Sequence, residues 1–125
     1  MPLEPGLAAR LELVVGDADT AVAFGSGDVP VLATPRVIAL CEEATVRAIE
    51  NDLQPNETTV GMQVQLDHLA PTAVGETVVA DAKVEEIQGR RVVFKVSARD
   101  DRGLVAAGRV TRVLVDRERF LDGIN

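Results

Sequence analysis

The chain has 125 residues, 46% of them hydrophobic and 26% charged, the composition of a folded protein long enough for one domain, residues 1–125, with a substantial core. Its net charge is −7 and its basic residues, nearly all Arg, are spread along the chain, so there is no basic stripe to neutralise phosphates and nucleic acid is excluded as the main partner. One Cys and one His permit no internal disulfide and no zinc site within a single chain, and no metal is expected.

The opening Met1-Pro2-Leu3-Glu4-Pro5-Gly6 lacks the basic and apolar regions of a signal peptide, and no apolar run approaches the roughly 20 residues of a membrane span. A cytoplasmic protein without membrane contact is expected. Leu7, Ala9, Leu11, Leu13 and Val15 alternate with Ala8, Arg10, Glu12 and Val14, which predicts a first strand ending near Gly16-Asp17. Asp19 to Pro30 contains Phe24-Gly25-Ser26-Gly27-Asp28 and reads as a loop; it is no Walker loop, since no Gly-Lys-Ser/Thr follows.

Thr34 is a preferred N-cap and Pro35 suits the first helical position, so a helix of about 17 residues, roughly 25 Å long, is predicted over Pro35 to Asn51, with Pro55 as a stop signal. At 100° per residue, Val37, Ile38, Leu40, Cys41, Ala44, Thr45, Ala48 and Ile49 share one broad apolar arc, which Val46 and Ala39 extend. Cys41 on this arc reads as a small buried hydrophobe. Glu43 and Arg47 fall on the narrow polar side as an ordinary i,i+4 pair. Glu42 does not belong there. It projects between Ile49 and Val46, with Ile38 one turn back, where desolvation works against a charged carboxylate unless a charge partner compensates.

Four strand-like segments follow. Thr58 to Ala70 carries Val60, Met62, Val64, Leu66, His68 and Ala70 on one parity. Glu76 to Ile87 comes after a Pro71–Gly75 turn, and Gln88-Gly89 turns the chain into Arg90 to Arg99, where Val92, Phe94, Val96 and Ala98 alternate with polar residues. After Asp100–Gly103, the segment Leu104 to Val115 is apolar on both parities, as a central strand would be, and a short tail carries Phe120. The order is one strand, one long helix and a four-strand antiparallel meander. This is an α+β arrangement in which a curled antiparallel sheet wraps one long central helix. A sheet with one helix on one face leaves an edge or face open, so a homodimer is expected, with a dimer of dimers as a larger alternative.

His68 is the second polar residue placed among apolar ones, since its parity points it toward the helix. A lone His there is usually a hydrogen-bonded core residue, but Glu42 on the facing helix makes an acid/base pair, and the Thr34 hydroxyl would complete a polar cluster. Arg112 shares parity with Ala106, Val110 and Leu114 and is either a charge partner or a flank of the sheet edge. Gly61 either relieves crowding against the helix or lets a ligand approach the backbone. Arg90 and Arg91 read as a solvated hairpin tip.

The pattern Ala33-Thr34, Glu42, Gly61 and His68, with Gly108 through Arg112 near the end, resembles the hotdog-fold thioesterases of the fluoroacetyl-CoA thioesterase type over roughly Val29 to Phe120. The resemblance implies a dimeric hotdog fold that hydrolyses acyl-CoA thioesters. Thr34, Glu42 and His68 match the catalytic trio, Gly61 the glycine whose backbone lies against the acyl group, and Arg112 the arginine near the site. Coenzyme A is then part of the substrate and no separate cofactor is implied. The fluoroacetyl-specific member closes its pocket with phenylalanines in the loop before the helix; here that neighbourhood offers Gly25 and Asp28, with Phe24 the only aromatic, so a short-chain acyl-CoA is the implied substrate. Two other readings of the same residues are a hydratase or dehydratase acting on an acyl-CoA and a non-catalytic acyl-CoA binding module.

Overall fold

The computed structural model describes residues 3–124; Met1 and Pro2, which begin the leader reading above, lie outside the described residues. Strand β1 (Ala8–Val14) is followed by a single 3-10 turn and a one-turn helix α1 (Ala21–Phe24), then by the long helix α2 (Thr34–Ile49). Strands β2 (Glu57–His68), β3 (Thr77–Gln88), β4 (Arg91–Asp100) and β5 (Gly103–Asp116) complete one antiparallel sheet, and a short helix α3 (Arg117–Asp122) ends the chain. The segment read as a loop thus contains α1, which holds because the Thr20 hydroxyl accepts from the Ala23 N–H and Gly25 closes the turn in the left-handed region at φ 69°. No helix among the described residues is long and apolar enough to cross a membrane.

Strand order is β1-β3-β4-β5-β2, so the meander expected over four strands covers only three. The place beside β3 is taken by β1, from Ala8 opposite Lys83 to Val14 opposite Thr77, and β2 pairs instead with β5 on the far edge. Helix α2 packs across the inner face of all five strands. Its Val37, Leu40, Cys41, Ala44, Ala48 and Ile49 meet Val78, Ala80, Ala82 and Val84 of β3 and Val92, Phe94, Val96 and Ala98 of β4 in one hydrophobic core. These strand residues are the alternate positions of their segments, as period two requires. Phe94 is the largest fully buried side chain, and burying it contributes about 2–3 kcal/mol. The curled sheet covers this face of α2, while a margin formed by Ala39, Val46 and half-buried Ile38 stays accessible on either side of Glu42.

Strand β2 contains the irregularity that matters for the site. Gly61 pairs with Arg112 and Gln63 with Thr111, so Met62 is an extra, unpaired residue and is 46% exposed. A bulge shifts side-chain parity by one. After it, Val64, Leu66 and His68 occupy the rows of Val110, Gly108 and Ala106 on the helix side. Before it, Thr59 and Gly61 hold that side, so Val60 and Met62 do not share a face with His68 as strict alternation predicted. Seven positions separate Gly61 from His68, an odd number, and only the bulge lets both face α2.

Candidate active site

Thr34 begins α2, but it is not the cap. Ala33 holds the extended N-cap conformation, with φ −70° and ψ 141°, and no side chain caps the helix. Pro35 therefore sits at the second helical position, and the helix start is tied down by the Arg36–Asp19 ion pair at 2.9 Å. The Thr34 hydroxyl is turned instead to His68 Nδ1, 2.7 Å away. The N-cap expectation fails because the chain enters the helix one residue earlier than expected: Ala33 takes the cap position and Thr34 lies in the first turn.

His68 ends β2. Its Nε2 is buried and has no hydrogen-bond partner among the described residues. Burial lowers the pKa of the ring below its ordinary 6.5, and the Ala70 backbone opposes only part of that shift. Thr34 and His68 border an open cleft of about 280 Å³, whose walls include Ala21 and Ser26 from α1 and its loop, and Ala70 and Pro71 after β2.

Glu42 stands two turns along α2, on its accessible margin. Its side chain is 35% exposed, and Oε2 accepts from Arg112 Nη1 at 3.4 Å. Arg112 is the compensating charge that the position of Glu42 demanded. Its own side chain is only 10% exposed, and Nε–H donates to the Thr59 hydroxyl at 2.9 Å while Nη2–H donates to the Thr59 carbonyl at 3.1 Å. Gly61 lies against the same carboxylate, and a Cβ there would stand 2.9 Å from Glu42 Oε2. Such an approach is tighter than real contacts allow, so glycine at this place keeps room for the carboxylate.

The five candidate residues therefore form two groups along the seam between α2 and β2. Thr34 joins His68, and Glu42 joins Arg112 and Gly61. No hydrogen bond or ion pair among the described residues links the two groups, and Thr34 and Glu42 are about 12 Å apart along the helix axis. Thr59, which holds Arg112, was not singled out from the sequence; its signal was the bulge, which an unbroken alternation conceals. Cys41 is buried, and burial first, then the nearby Glu42 charge, push its thiol up to about 11, as suits an inert core residue. Arg90 and Arg91 are exposed at the β3–β4 hairpin. Among the described residues, no group of three or more His, Cys, Asp or Glu is placed to hold a metal ion.

Comparison with known proteins bears on the family and the fold. The family model described as fluoroacetyl-CoA-specific thioesterase matches residues 15–118. The fluoroacetyl-CoA thioesterase of Streptantibioticus cattleyicolor is 34% identical over 90 residues, which are 72% of this chain and 65% of that relative, just under two thirds of its length. A solved structure of fluoroacetyl-CoA thioesterase superposes with a TM-score of 0.92 at 27% identity, covering 99% of this chain and 96% of that one. A hot-dog-like protein from Thermanaerovibrio acidaminovorans gives a TM-score of 0.91 at 25% identity over 98% of this chain and 90% of that one. The architecture of one long helix against a curled five-stranded antiparallel sheet is the hotdog fold.

Proposed function

The chain belongs to the fluoroacetyl-CoA-specific thioesterase family, and from that premise we propose that it hydrolyses a short-chain acyl-CoA thioester to the free acid and coenzyme A, with Thr34, Glu42 and His68 as the catalytic trio. The observation that carries this reading is the Thr34–His68 pair: one ring nitrogen is engaged by a hydroxyl, while the other is buried without a partner among the described residues, beside an open cleft. An unpaired buried nitrogen costs free energy that a bound polar group recovers.

In the proposed reaction Glu42 either attacks the thioester carbonyl carbon, forming an acyl-enzyme anhydride that water then opens, or takes the proton from a water that attacks directly. The C–S bond breaks, and the departing CoA thiolate is protonated. His68, neutral at pH 7 because burial lowers its pKa, positions water and moves protons. Thr34 donates to the substrate carbonyl or orients the reacting groups. The backbone beside Gly61 and the Arg112 guanidinium border the place where charge develops, and each donor aimed at an oxyanion is commonly worth ~3 kcal/mol. Coenzyme A enters as part of the substrate, and the cytoplasm is the proposed place of the reaction. Gly25 and Asp28 stand in the segment before α2, with Phe24 the only aromatic in that neighbourhood, which favours a general short-chain acyl group over fluoroacetyl alone.

The working unit in this reading is a homodimer. Strand β2 is a 12-residue edge with β5 as its one neighbour among the described strands, and the apolar margin around Glu42 lies open beside it. A second copy set along this edge covers both. Sedimentation equilibrium tests this, and a monomer at micromolar concentration would count against it.

Thiol release from acetyl-, fluoroacetyl-, medium-chain and phenylacetyl-CoA, run beside the Glu42→Ala variant, tests the activity. Release that depends on Glu42 supports hydrolysis, and the rank order reports the acyl size. Binding of the esters without release from any of them would replace the hydrolase with a binding module. Trapping with hydroxylamine separates the two roles of Glu42, since a hydroxamate on Glu42 identifies the attacking carboxylate.

A further inference from the structure

Arg112 does not find Glu42 unaided. Its guanidinium lies between β5 and β2, and one residue, Thr59, holds an entire edge of the fork: the hydroxyl takes Nε–H at 2.9 Å and the carbonyl takes Nη2–H at 3.1 Å. Because the group is planar and rigid, fixing that edge fixes the direction of Nη1, which meets Glu42 Oε2 at 3.4 Å. At 3.4 Å this contact is longer than either bond to Thr59, so the Thr59 bonds are what hold the guanidinium. Glu42, moreover, is a third exposed, whereas Arg112 is nine-tenths buried. The order in this cluster therefore comes from the β2 side.

The geometry points to Thr59 as a positioning residue for the proposed hydrolysis, acting through Arg112 to set the Glu42 carboxylate; the inference rests on the reading that Glu42 carries the reaction. Thr59 is suited to this in two ways. Its β-branched side chain has few χ1 states on a strand, so the hydroxyl position follows from the backbone. It also lies just before the Met62 bulge, on the same stretch as Gly61, so the residue that steers Arg112 and the residue that leaves space for Glu42 are placed by one local distortion. Two donors of Arg112 remain after these bonds, since a guanidinium carries five.

Three variants decide the matter. Thr59→Val keeps the shape and removes the hydroxyl, Thr59→Ser restores it, and Arg112→Met removes the group through which Thr59 acts. Thr59→Val is expected to lower kcat about tenfold with KM within about twofold, and Thr59→Ser to recover most of that loss. In the Arg112→Met background Thr59→Val should cost less than about twofold more, because the two residues act as one unit. Equal costs in both backgrounds, or a serine no better than valine, would overturn the assignment. A readout independent of turnover is the Arg112 Nε–H resonance, identified by its loss in Arg112→Met. It should be protected from solvent exchange in the wild type and in Thr59→Ser but not in Thr59→Val. If the wild type released no thiol from any ester, the hydrolase reading would fall, and this resonance would still judge the clamp: an unchanged signal in Thr59→Val overturns it.

Discussion

Two polar clusters in this molecule are built from the same parts, an arginine, a carboxylate and a threonine, and they end in opposite states. At the β4–β5 turn, Asp100 Oδ2 accepts from the Thr72 hydroxyl at 3.0 Å and from Arg102 Nη2 at 3.4 Å, while Oδ1 accepts from the Arg102 backbone N–H at 2.9 Å. Arg102 also donates to the Pro71 carbonyl and to Glu76, both at 3.1 Å. The Asp100 side chain is only 3% exposed, and every oxygen has a donor. At the seam of α2 and β2, Glu42 has one donor at 3.4 Å among the described residues, and in the separate Thr34–His68 pair beside it Nε2 has none. The first cluster is saturated and fastens the Pro71 segment that walls the cleft. The second is short of partners where a ligand can supply them. Among buried polar groups, saturation marks a clamp and shortage marks a site.

The largest expected break in this comparison is at the seam. Glu42→Ala or His68→Ala should each lower thioester hydrolysis by about 100-fold or more with little change in urea midpoint, measured by thiol release and by equilibrium unfolding. Near-wild-type rates in both would put the seam in the same class as the clamp. The converse applies to Asp100→Ala. It leaves the Thr72 hydroxyl buried without its acceptor and should cost about 2 kcal/mol of stability while leaving the rate per folded molecule close to wild type. A large fall in rate at unchanged stability would show that the clamp belongs to the site.

Gly61→Ala sharpens the contrast at smaller scale. The added methyl would press on Glu42 Oε2, so hydrolysis should fall about tenfold, with only a small stability change because the flexible carboxylate end gives way. The smallest effect is in pH. His68 and Asp100 both have folded pKa values below their ordinary values: His68 through burial, and Asp100 because the Arg102 N–H, the Thr72 hydroxyl and the Arg102 guanidinium outweigh burial. In each case the unfolded chain takes up a proton first as the pH falls. Stability is therefore complete above the unfolded value and is lost as pH drops through the folded one, beginning near 6.5 for His68 and near 3.8 for Asp100. Urea midpoints should decline in both windows. His68→Gln should remove the upper decline and Asp100→Asn should reduce the lower one.

How much of this was legible in the sequence differs from residue to residue. Thr34-Pro35 marked the start of α2 to within one position, because helix starts are set by local backbone chemistry, but it also suggested a cap that the Thr34 hydroxyl does not provide. Glu42 stood out as a carboxylate on an apolar arc, and its need for a cation was readable; which cation answered it was not. Arg112 could have flanked a sheet edge until β2 was seen beside β5. The partner of β2 is not legible in the sequence, because short connections favour a meander, while the competition between β1 and β2 for the edge of β3 depends on the whole sheet.

Local patterns specify the segments and their inner faces where the repeat is unbroken: the Val37–Ile49 arc, the Val92–Ala98 alternation, the Gln88-Gly89 hairpin and the set of polar residues that break these patterns. Such features depend on neighbours within a few residues, and a period of 2.0 or 3.6 records them directly. Only the tertiary structure decided that Met62 is bulged, that Gly61 and His68 therefore face the same helix, and that Thr59 holds Arg112 against Glu42. The physical reason is that a bulge leaves the order of residues intact and changes only which partner each one meets. Partners are chosen by strands far apart in the chain, where the free energy of packing the whole sheet outweighs any local preference.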